Sequence, residues 1–409
     1  MRSTLAVLFC VNVLNFYDRQ ALGALVEPLR REFHLSDAQL GAIPTAFIIV
    51  YALAGPPLGR LADRWSRKRL LAIGVSVWAA LTALGGAATG YAMLFVSRMG
   101  VGVGEAVCAP AGTSWIAEAV PERQRSRALA WFMMAVPVGV MISLATSGSV
   151  AQAFGWRTAL VIAAAPALLL VPAILALPEP QRAVKKTAIA PWTSLLRIPA
   201  LWWLALSGAL VNFILYSFSY FVAAFLTRYH GLSVAKAGVW AGLGSGIAGV
   251  LGGLAIVTFG GGLRVASVAA FAAAPLAWLA IGLPRGSAAA VVVLLMSAYG
   301  LWQMYYGPVY AAIQRVVPPE LRATAMSLYF LAMYLAGGAF GPLVLGALSD
   351  RFAVAAGGDR ARGLHDAMYV IPILSLALGA VLSVSSGAVN RDRSRFSKRH
   401  DPLESGSAG

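Results

Sequence analysis

The sequence has very little charge for its size. Only 12% of its 409 residues are Asp, Glu, Lys or Arg, whereas 59% are hydrophobic and the mean hydropathy is +0.75. Soluble proteins average about 25% charged and about 45–50% apolar residues. This composition therefore excludes a water-soluble enzyme, because the polar surface would be too small, and it excludes a disordered chain, which needs low hydrophobicity. It predicts a polytopic membrane protein.

Cysteine is nearly absent. Cys10 and Cys108 both lie in apolar runs and show neither disulfide nor metal-binding spacing. No phosphate-binding loop is present. The histidines fall in or beside predicted loops without metal or acyl-transfer spacing, namely at His34, His230, His365 and His400. We therefore predict no catalytic residue, no metal and no cofactor, and the chain is not expected to be an enzyme.

Acidic residues are half as numerous as basic ones, which gives a formal net charge of +16 at pH 7. A nucleic-acid-binding protein would gather this excess on one basic face. Here the basic residues form short clusters between apolar runs, so we expect no nucleic-acid partner. Clusters of this kind orient a membrane protein instead, because cytoplasmic loops are enriched in Lys and Arg.

Twelve apolar runs approach the ~20 residues that a helix needs to cross a bilayer. With the N-terminus inside, the predicted cytoplasmic segments hold more than twice as many Lys and Arg residues as the outer segments. Polar residues between positions 12 and 20 argue against a cleavable signal peptide. We predict an integral protein of the bacterial inner (plasma) membrane with both termini cytoplasmic. The predicted spans are 4–27, 38–60, 69–89, 91–117, 128–154, 156–177, 201–226, 237–259, 264–283, 287–313, 323–348 and 366–388.

An internal repeat divides these spans into two halves. Leu35-Ser36-x-Ala38-x-x-Gly41 recurs as Leu232-Ser233-x-Ala235-x-x-Gly238, and Val120-Pro121 recurs at the same interval as Val317-Pro318. Two parallel six-helix halves are the architecture of major facilitator transporters. The predicted units are an N-terminal half at 1–177, a cytoplasmic linker at 178–200, a C-terminal half at 201–389 and a basic cytoplasmic tail at 390–409.

The loop after the second span reads Gly59-Arg60-Leu61-Ala62-Asp63-Arg64-Trp65-Ser66-Arg67-Lys68-Arg69. It is similar to the loop signature of the major facilitator superfamily, although Ser66 replaces a glycine. In that family this loop holds the cytoplasmic ends of the two halves together. The resemblance implies a cytoplasmic gate formed by Gly59, Asp63, Arg64, Arg67 and Lys68, with Arg125 and Arg322 before helices 5 and 11. Alternatively, the basic run only anchors the loop inside.

Helix 4 carries Arg98-Met99-Gly100-Val101-Gly102-Val103-Gly104-Glu105-Ala106, which is similar to a second signature of the superfamily. Glu105 stands where most members have a small residue. Together with Asn15-Phe16-Tyr17-Asp18-Arg19 in helix 1, it resembles the Spinster-like branch, whose members carry sphingolipid-type and lysophospholipid cargo. The resemblance implies an all-α, twelve-helix, proton-coupled transporter that works by alternating access. The helix 1 motif is also similar to that of organic-anion or sugar-acid/proton symporters, so that class stays open.

Four charged residues fall inside the predicted spans: Asp18, Arg19, Arg98 and Glu105. A charge at the bilayer centre costs at least ~2.5–3.5 kcal/mol, so such groups normally face a partner or a wet cavity. Helical geometry places Asp18 and Arg98 at similar depths. Arginine keeps its proton, whereas a buried carboxyl group can gain one. We predict that these four residues couple protons to substrate; the alternative is a purely structural ion-pair network.

The second half offers polar and aromatic residues but no intramembrane charge. A cavity with one charged and one aromatic wall suits an amphipathic organic ion. The expected partners are therefore a small-molecule substrate, protons and the lipid bilayer, and the protein is expected to be a monomer. A channel would need a ring of like groups, which is not visible; a membrane enzyme or a transport-dead sensor are the remaining alternatives. The predicted cavity residues are Asn15, Asn212, Tyr216, Tyr220, Gln303 and Tyr306.

Overall fold

A computed structural model describes residues 2–179, 192–258, 262–318 and 321–400, and within these ranges it contains helices and no strand. In the same ranges, eleven helices are long and apolar enough to cross a membrane. The first helix, Arg2–Phe33, also has sufficient length, and its polar residues between positions 12 and 20 leave it outside those eleven. Most of the predicted linker (180–191) and the end of the predicted tail (401–409) lie outside the described residues.

The twelve spans form an N-half and a C-half of six helices each. The N-half contains α1 (Arg2–Phe33), α2 (Asp37–Arg64), α3 (Arg67–Gly86), α4 (Tyr91–Glu105 and Cys108–Ala119), α5 (Glu122–Phe154) and α6 (Trp156–Ala176). The C-half contains α7 (Pro199–Arg228), α8 (Val234–Thr258), α9 (Leu263–Gly282), α10 (Ala288–Gln303 and Tyr306–Val316), α11 (Arg322–Ala332, the π-helical Met333–Ala339, and Phe340–Ala355) and α12 (Arg360–Met368 and Val370–His400). A 3₁₀ helix, Trp192–Arg197, precedes α7.

Short polar signals set the helix ends. Ser36 caps α2 through a capping box with Gln39, and Ser66 caps α3. Gly155, with φ +85°, makes the turn from α5 to α6 in a backbone region that favours glycine. Helix α1 continues past its predicted end at residue 27, because Glu27 pairs with the arginines one turn later and supports the added turn.

The bundle has two ends. The linker end holds Arg64, Arg67 and the 3₁₀ helix Trp192–Arg197; the far end holds the end of α1, the start of α2 and the end of α7. The two halves contact each other mainly through α1 with α7, α2 with α11, and α5 with α8. A Cβ on Gly41 would overlap the Pro342 carbonyl, and the repeat glycine Gly238 similarly approaches Leu144. The repeated glycines therefore allow close cross-half packing in the part of each helix nearest the far end.

The linker-end segments of the central helices behave differently. Within the described residues, the substantial contacts of Cys108–Ala119, Tyr306–Val316 and Arg322–Ala332 are with helices of their own half. The halves thus meet at the far end and separate toward the linker end.

Candidate functional site

The four intramembrane charges predicted from the sequence form two ion pairs between α1 and α4. The Arg19 Nε lies 2.7 Å from the Glu105 Oε2, and the Arg98 Nη1 lies 3.1 Å from the Asp18 Oδ2. None of these side chains is more than 5% exposed. The structure therefore brings all four residues into one buried cluster, in which each helix supplies one arginine and one carboxyl group.

Local features of α3 and α4 fix the position of these groups. Glu105 is the last residue of the first segment of α4. A Cβ on Gly104 would lie 2.8 Å from the Trp78 nitrogen, so this glycine allows α4 to approach α3 closely. The Thr82 hydroxyl on α3 donates a 2.9 Å hydrogen bond to the Asp18 Oδ2. Helix α3 thereby packs against α4 and holds the Asp18 carboxyl group in place.

The hydrogen bonding of the two carboxyl groups is incomplete. Asp18 Oδ1 and Glu105 Oε1 have no hydrogen-bond partner among the described residues, and neither do the Nε and Nη2 atoms of Arg98. Each carboxyl group therefore has one oxygen committed to an arginine and one oxygen left to accept or hold a proton.

Aromatic rings enclose the Arg19 guanidinium. Its Cζ lies 4.2 Å from the ring centroid of Tyr51, 4.9 Å from Phe16 and 5.4 Å from Phe47. A cation over an aromatic face gains about 2 kcal/mol when it is desolvated. The rings therefore stabilise the buried charge and orient it toward Glu105.

Arg19 also lines a small cavity between the two halves. The cavity measures about 20 Å³, which leaves little free space beside the guanidinium in this conformation. Both halves contribute to its walls, which are formed by Arg19, Gln20, Pro44, Phe47, Ile48, Tyr216, Tyr220 and Pro342. Of the four clustered charges, Arg19 is the one that lines this space.

The six predicted cavity residues divide into two groups. Tyr216 and Tyr220 line the cavity, and the Tyr220 hydroxyl donates a 2.9 Å bond to the Leu40 carbonyl, which ties α7 to α2. The other four do not line it. Asn15 is buried in α1, about one turn before Asp18. The other three make contacts within the C-half: Asn212 donates to the Gly208 carbonyl, Gln303 donates to the Tyr299 hydroxyl, and Tyr306 packs against Tyr305 and Tyr310.

The described contacts of Arg67 and Arg125 are with residues of the N-half and with Glu179, which follows α6 in the predicted linker. Arg67 donates to both oxygens of Glu118 at 2.6 and 2.7 Å, and its backbone N–H donates to Glu179 at 2.5 Å. Arg125 donates to the Val120 carbonyl at 3.0 Å.

The other gate positions differ in their exposure. A Cβ on Gly59 would have a single neighbour, Pro110, at 3.8 Å. Lys68 is partly buried, and Arg64 and Arg322 are exposed. The side chain of Asp63 lies outside the described part of the chain.

A second charged network, which the sequence reasoning missed, joins the halves at the far end. Arg228 of α7 donates to both oxygens of Asp37 at 2.7 and 2.8 Å and to Glu27 at 2.5 Å. The Ser349 hydroxyl of α11 donates to Asp37 at 2.6 Å. The three charged side chains are at most 4% exposed. This far-end network links α1 and α2 to α7 and α11.

Two pseudo-equivalent caps close the same end. The Asp350 carboxylate accepts from the backbone N–H groups of Asp37 and Ala38 at 2.9 and 2.8 Å, and so caps α2 from the C-half. Gln152 accepts from the Ala235 N–H at 2.9 Å and so caps α8 from the N-half. Ala38 and Ala235 are partners in the sequence repeat. Each half therefore caps a helix of the opposite half. The cap on α2 is the Asp350 carboxylate, and the cap on α8 is the neutral Gln152 amide.

The chain is similar in sequence to known membrane proteins. The sequence profile of the Major Facilitator Superfamily matches residues 8–342. An MFS-type efflux pump of Mycolicibacterium smegmatis is 36% identical over 370 residues, which cover 85% of this chain and 84% of the pump. Protein spinster homolog 1 of Homo sapiens is 28% identical over 395 residues, which cover 85% of this chain and 72% of the human protein.

Solved structures agree with these sequence matches. A bacterial homologue of the human lysosomal transporter Spinster, in an inward-facing and unoccupied conformation, matches with a TM-score of 0.84 and 25% identity over 95% of this chain and 98% of its own. A D-xylose–proton symporter shares the fold, with a TM-score of 0.75 at 18% identity over 91% of this chain and 96% of its own.

Proposed function

This chain belongs to the Major Facilitator Superfamily, in its Spinster-like branch, and we propose that it moves a small amphipathic organic solute in a proton-coupled cycle. It is an integral membrane transporter, and its relatives are transporters rather than enzymes. The proposed cargo is lysolipid-like or sphingoid-like, or another organic anion, and the proposed transporting unit is a monomer.

One observation carries this proposal: Arg19 lines the space between the halves while its side chain is paired with a buried carboxyl group. An anionic group of the cargo that enters this space meets Arg19 first. It competes with Glu105 for the guanidinium. The tyrosines of the opposite wall offer a surface for the apolar body of the cargo.

Competition for arginine links the cargo to a proton. Once Arg19 turns to the cargo, Glu105 is a buried carboxylate without its counter-charge, and burial favours the neutral form of such a group. The unpaired oxygens of Asp18 and Glu105 provide the place where a proton binds. Arg98 holds Asp18 and keeps its charge throughout. Cargo occupancy and proton occupancy therefore rise together, and together they shift the balance between the two open states.

The cargo class can be tested with a thermal-shift screen on purified protein. Lysophospholipids and phosphorylated sphingoid compounds, which carry an anionic group for Arg19, are expected to raise the unfolding temperature of the wild type and not of Arg19→Ala. A shift produced only by sugar acids or other small carboxylates would place the protein among organic-anion or sugar-acid/proton symporters. A ligand that shifts the unfolding temperature but is never transported, with or without a pH gradient, would indicate a sensor.

We propose that the linker end faces the cytoplasm of a bacterial inner membrane, with both termini on that side and with domain boundaries at 1–177, 178–200, 201–389 and 390–409. The Lys and Arg bias of the loops supports this orientation. The conformation is then open to the cytoplasm, as in the inward-facing Spinster homologue.

The orientation predicts how single cysteines react in intact cells. With Cys10 and Cys108 replaced, Ser194→Cys in the 3₁₀ helix should not react with an impermeant maleimide, because it lies at the linker end. Thr89→Cys, in the turn between α3 and α4 at the far end, serves as the matched control and should be labelled. Labelling of Ser194→Cys with protection of Thr89→Cys would reverse the orientation.

We propose that the loop from Gly59 to Arg69 forms the gate at the linker end when that end closes. In the open state the Arg67 side chain pairs with Glu118 of its own half, so its basic charge is already neutralised, and its backbone N–H donates to Glu179. Asp63→Asn should shift the population further toward the linker-end-open state and slow turnover, while leaving the protein folded. Unchanged distances between spin labels across the linker end of this variant would exclude the gate.

A further inference from the structure

Tyr51 of α2 touches the charged site on one side and the C-half on the other. Its ring lies 4.2 Å from the Arg19 Cζ and stacks on Phe47 at 6.0 Å. On the opposite side, its centroid lies 6.0 Å from that of Tyr334, at an interplanar angle of 73°. Among ring pairs with both members in the described residues, Tyr51–Tyr334 is the pair that joins the two halves.

Tyr334 lies in an irregular part of α11. The segment Met333–Ala339 is π-helical, and such segments are rare and frequently found at functional sites. Tyr334 packs edge-on against Tyr216, with centroids 6.3 Å apart, and Tyr216 lines the cavity beside Arg19. The Thr45 hydroxyl of α2 donates to the Ala339 carbonyl at the end of the same segment. Helix α2 therefore contacts the π-helical segment at both ends.

We propose that Tyr51 and Tyr334 are positioning residues that connect the state of Arg19 to the relative movement of the halves. This inference rests on the proposed proton coupling through Arg19 and Glu105. While Arg19 is paired with Glu105, its charge lies against the Tyr51 ring and holds that ring where Tyr334 packs. When Arg19 turns away, Tyr51 loses its cation and the cross-half ring contact loses its support.

The geometry explains how a change in the pairing of Arg19 can alter a contact between the two halves. The ion pairs themselves lie wholly within the N-half, between α1 and α4. A ligand or proton shifts a two-state equilibrium only through contacts that differ between the states. The Tyr51–Tyr334 contact is such a contact, because one ring belongs to each half. A purely structural role for these rings would not depend on the charge beneath them.

Double electron–electron resonance can measure this link without a known cargo. Spin labels at Gln124→Cys and Gln314→Cys, on exposed linker-end positions of α5 and α10, report the opening between the halves once Cys10 and Cys108 are replaced. The distance distribution is recorded in nanodiscs at acid and at alkaline pH. The distance distribution of the wild type should differ between the two pH values, because protonation of the Asp18 and Glu105 carboxyl groups releases Arg19.

The variants separate ring chemistry from packing. Tyr51→Leu and Tyr334→Leu should reduce the pH-dependent change by at least about threefold, since the ring that attracts the cation or packs on it is lost. Tyr51→Phe and Tyr334→Phe keep the ring and should retain the change. Tyr310→Leu is the matched control, because the Tyr310 ring contacts only C-half rings among the described residues.

Stepwise fluorinated phenylalanines at position 51 give a second measurement that leaves the packing intact. Fluorine weakens the attraction of the ring face for a cation, so the pH-dependent change should fall with each added fluorine. Leucine variants that respond like the wild type, or a fluorine series without a trend, would overturn the inference and leave proton coupling standing. A wild type that does not respond to pH would instead refute the coupling, and this inference with it.

Discussion

Glu105→Gln is expected to abolish proton-driven accumulation of cargo in proteoliposomes while binding and exchange persist. The glutamine oxygen can still accept the Arg19 hydrogen bond that now measures 2.7 Å, so the local geometry is kept. The amide cannot take up a proton, so cargo occupancy no longer changes proton occupancy. A one-unit pH gradient drives about tenfold accumulation per coupled proton, and in this variant the accumulation ratio should fall to about one.

Two companion variants test the roles of the other charges. Arg98→Ala should lose both transport and binding, because Asp18 would be left buried without its ion-pair partner at a cost of about 3–5 kcal/mol. Asp18→Asn should be intermediate, since the Thr82 and Arg98 contacts can be made by an amide oxygen. Counterflow measures exchange, and uptake under an imposed pH gradient measures coupling. A Glu105→Gln protein that still accumulates cargo along the gradient would contradict the proposed coupling.

Arg228→Ala is expected to shift the protein toward a state open at the far end. In the present state Arg228 neutralises Asp37 and Glu27, which are both buried. Removing one partner of a buried ion pair costs about 3–5 kcal/mol. Because each factor of ten corresponds to ~1.4 kcal/mol, this cost changes the population ratio by roughly two to three and a half orders of magnitude. The cost falls on the far-end-closed state, because opening exposes both carboxylates to water.

Cysteine accessibility at the far end can measure this shift, with Gly41→Cys avoided because no side chain fits there. Arg285→Ala is the matched control: the Arg285–Asp359 pair lies at the same end of the bundle, but its side chains are 61% and 42% exposed. Exposed pairs contribute little to stability, so this variant should behave like the wild type. Equal accessibility in Arg228→Ala and Arg285→Ala would show that the far-end network does not hold the halves together.

The sequence was sufficient to predict the membership of the central site but not its pairing. The cost of burying charge in a membrane indicated that Asp18, Arg19, Arg98 and Glu105 must find partners. Helical geometry gives only the height and direction of each side chain. It placed Asp18 and Arg98 at similar depths, and these two do pair, but it gave no partner for Arg19 or Glu105, which pair with each other in the structure. The reach of a long arginine side chain is decided by packing between helices.

The far-end network was not predictable for a different reason. Glu27, Asp37 and Arg228 fall at or just beyond the ends of apolar runs, where charged residues are ordinary in any membrane protein. Their pairing depends on how two halves distant in sequence meet. The repeat around Ser36 and Ser233 was the only signal at this end, and a sequence repeat does not show that the opposite half caps the helix that follows each copy.

Apolar runs also do not encode irregular helix geometry. The predicted spans treated α4, α10 and α11 as continuous, but the structure interrupts α4 after Glu105 and α10 after Gln303 and inserts a π-helical segment into α11. These interruptions depend on contacts with other helices, such as the approach of Gly337 to Ala209. Hydrophobicity reports that a segment is buried in the membrane, and it does not report how its backbone is wound.

The central claim is that the Asp18–Arg19–Arg98–Glu105 cluster ties each transported molecule to a proton, and proton movement measures it most directly. Proteoliposomes loaded with a pH-sensitive dye are given the cargo found in the thermal-shift screen, in the absence of any imposed gradient. Wild-type protein should change the internal pH as cargo moves, and Glu105→Gln protein should move cargo by exchange without a pH change. Cargo movement by the wild type at constant internal pH would contradict the account.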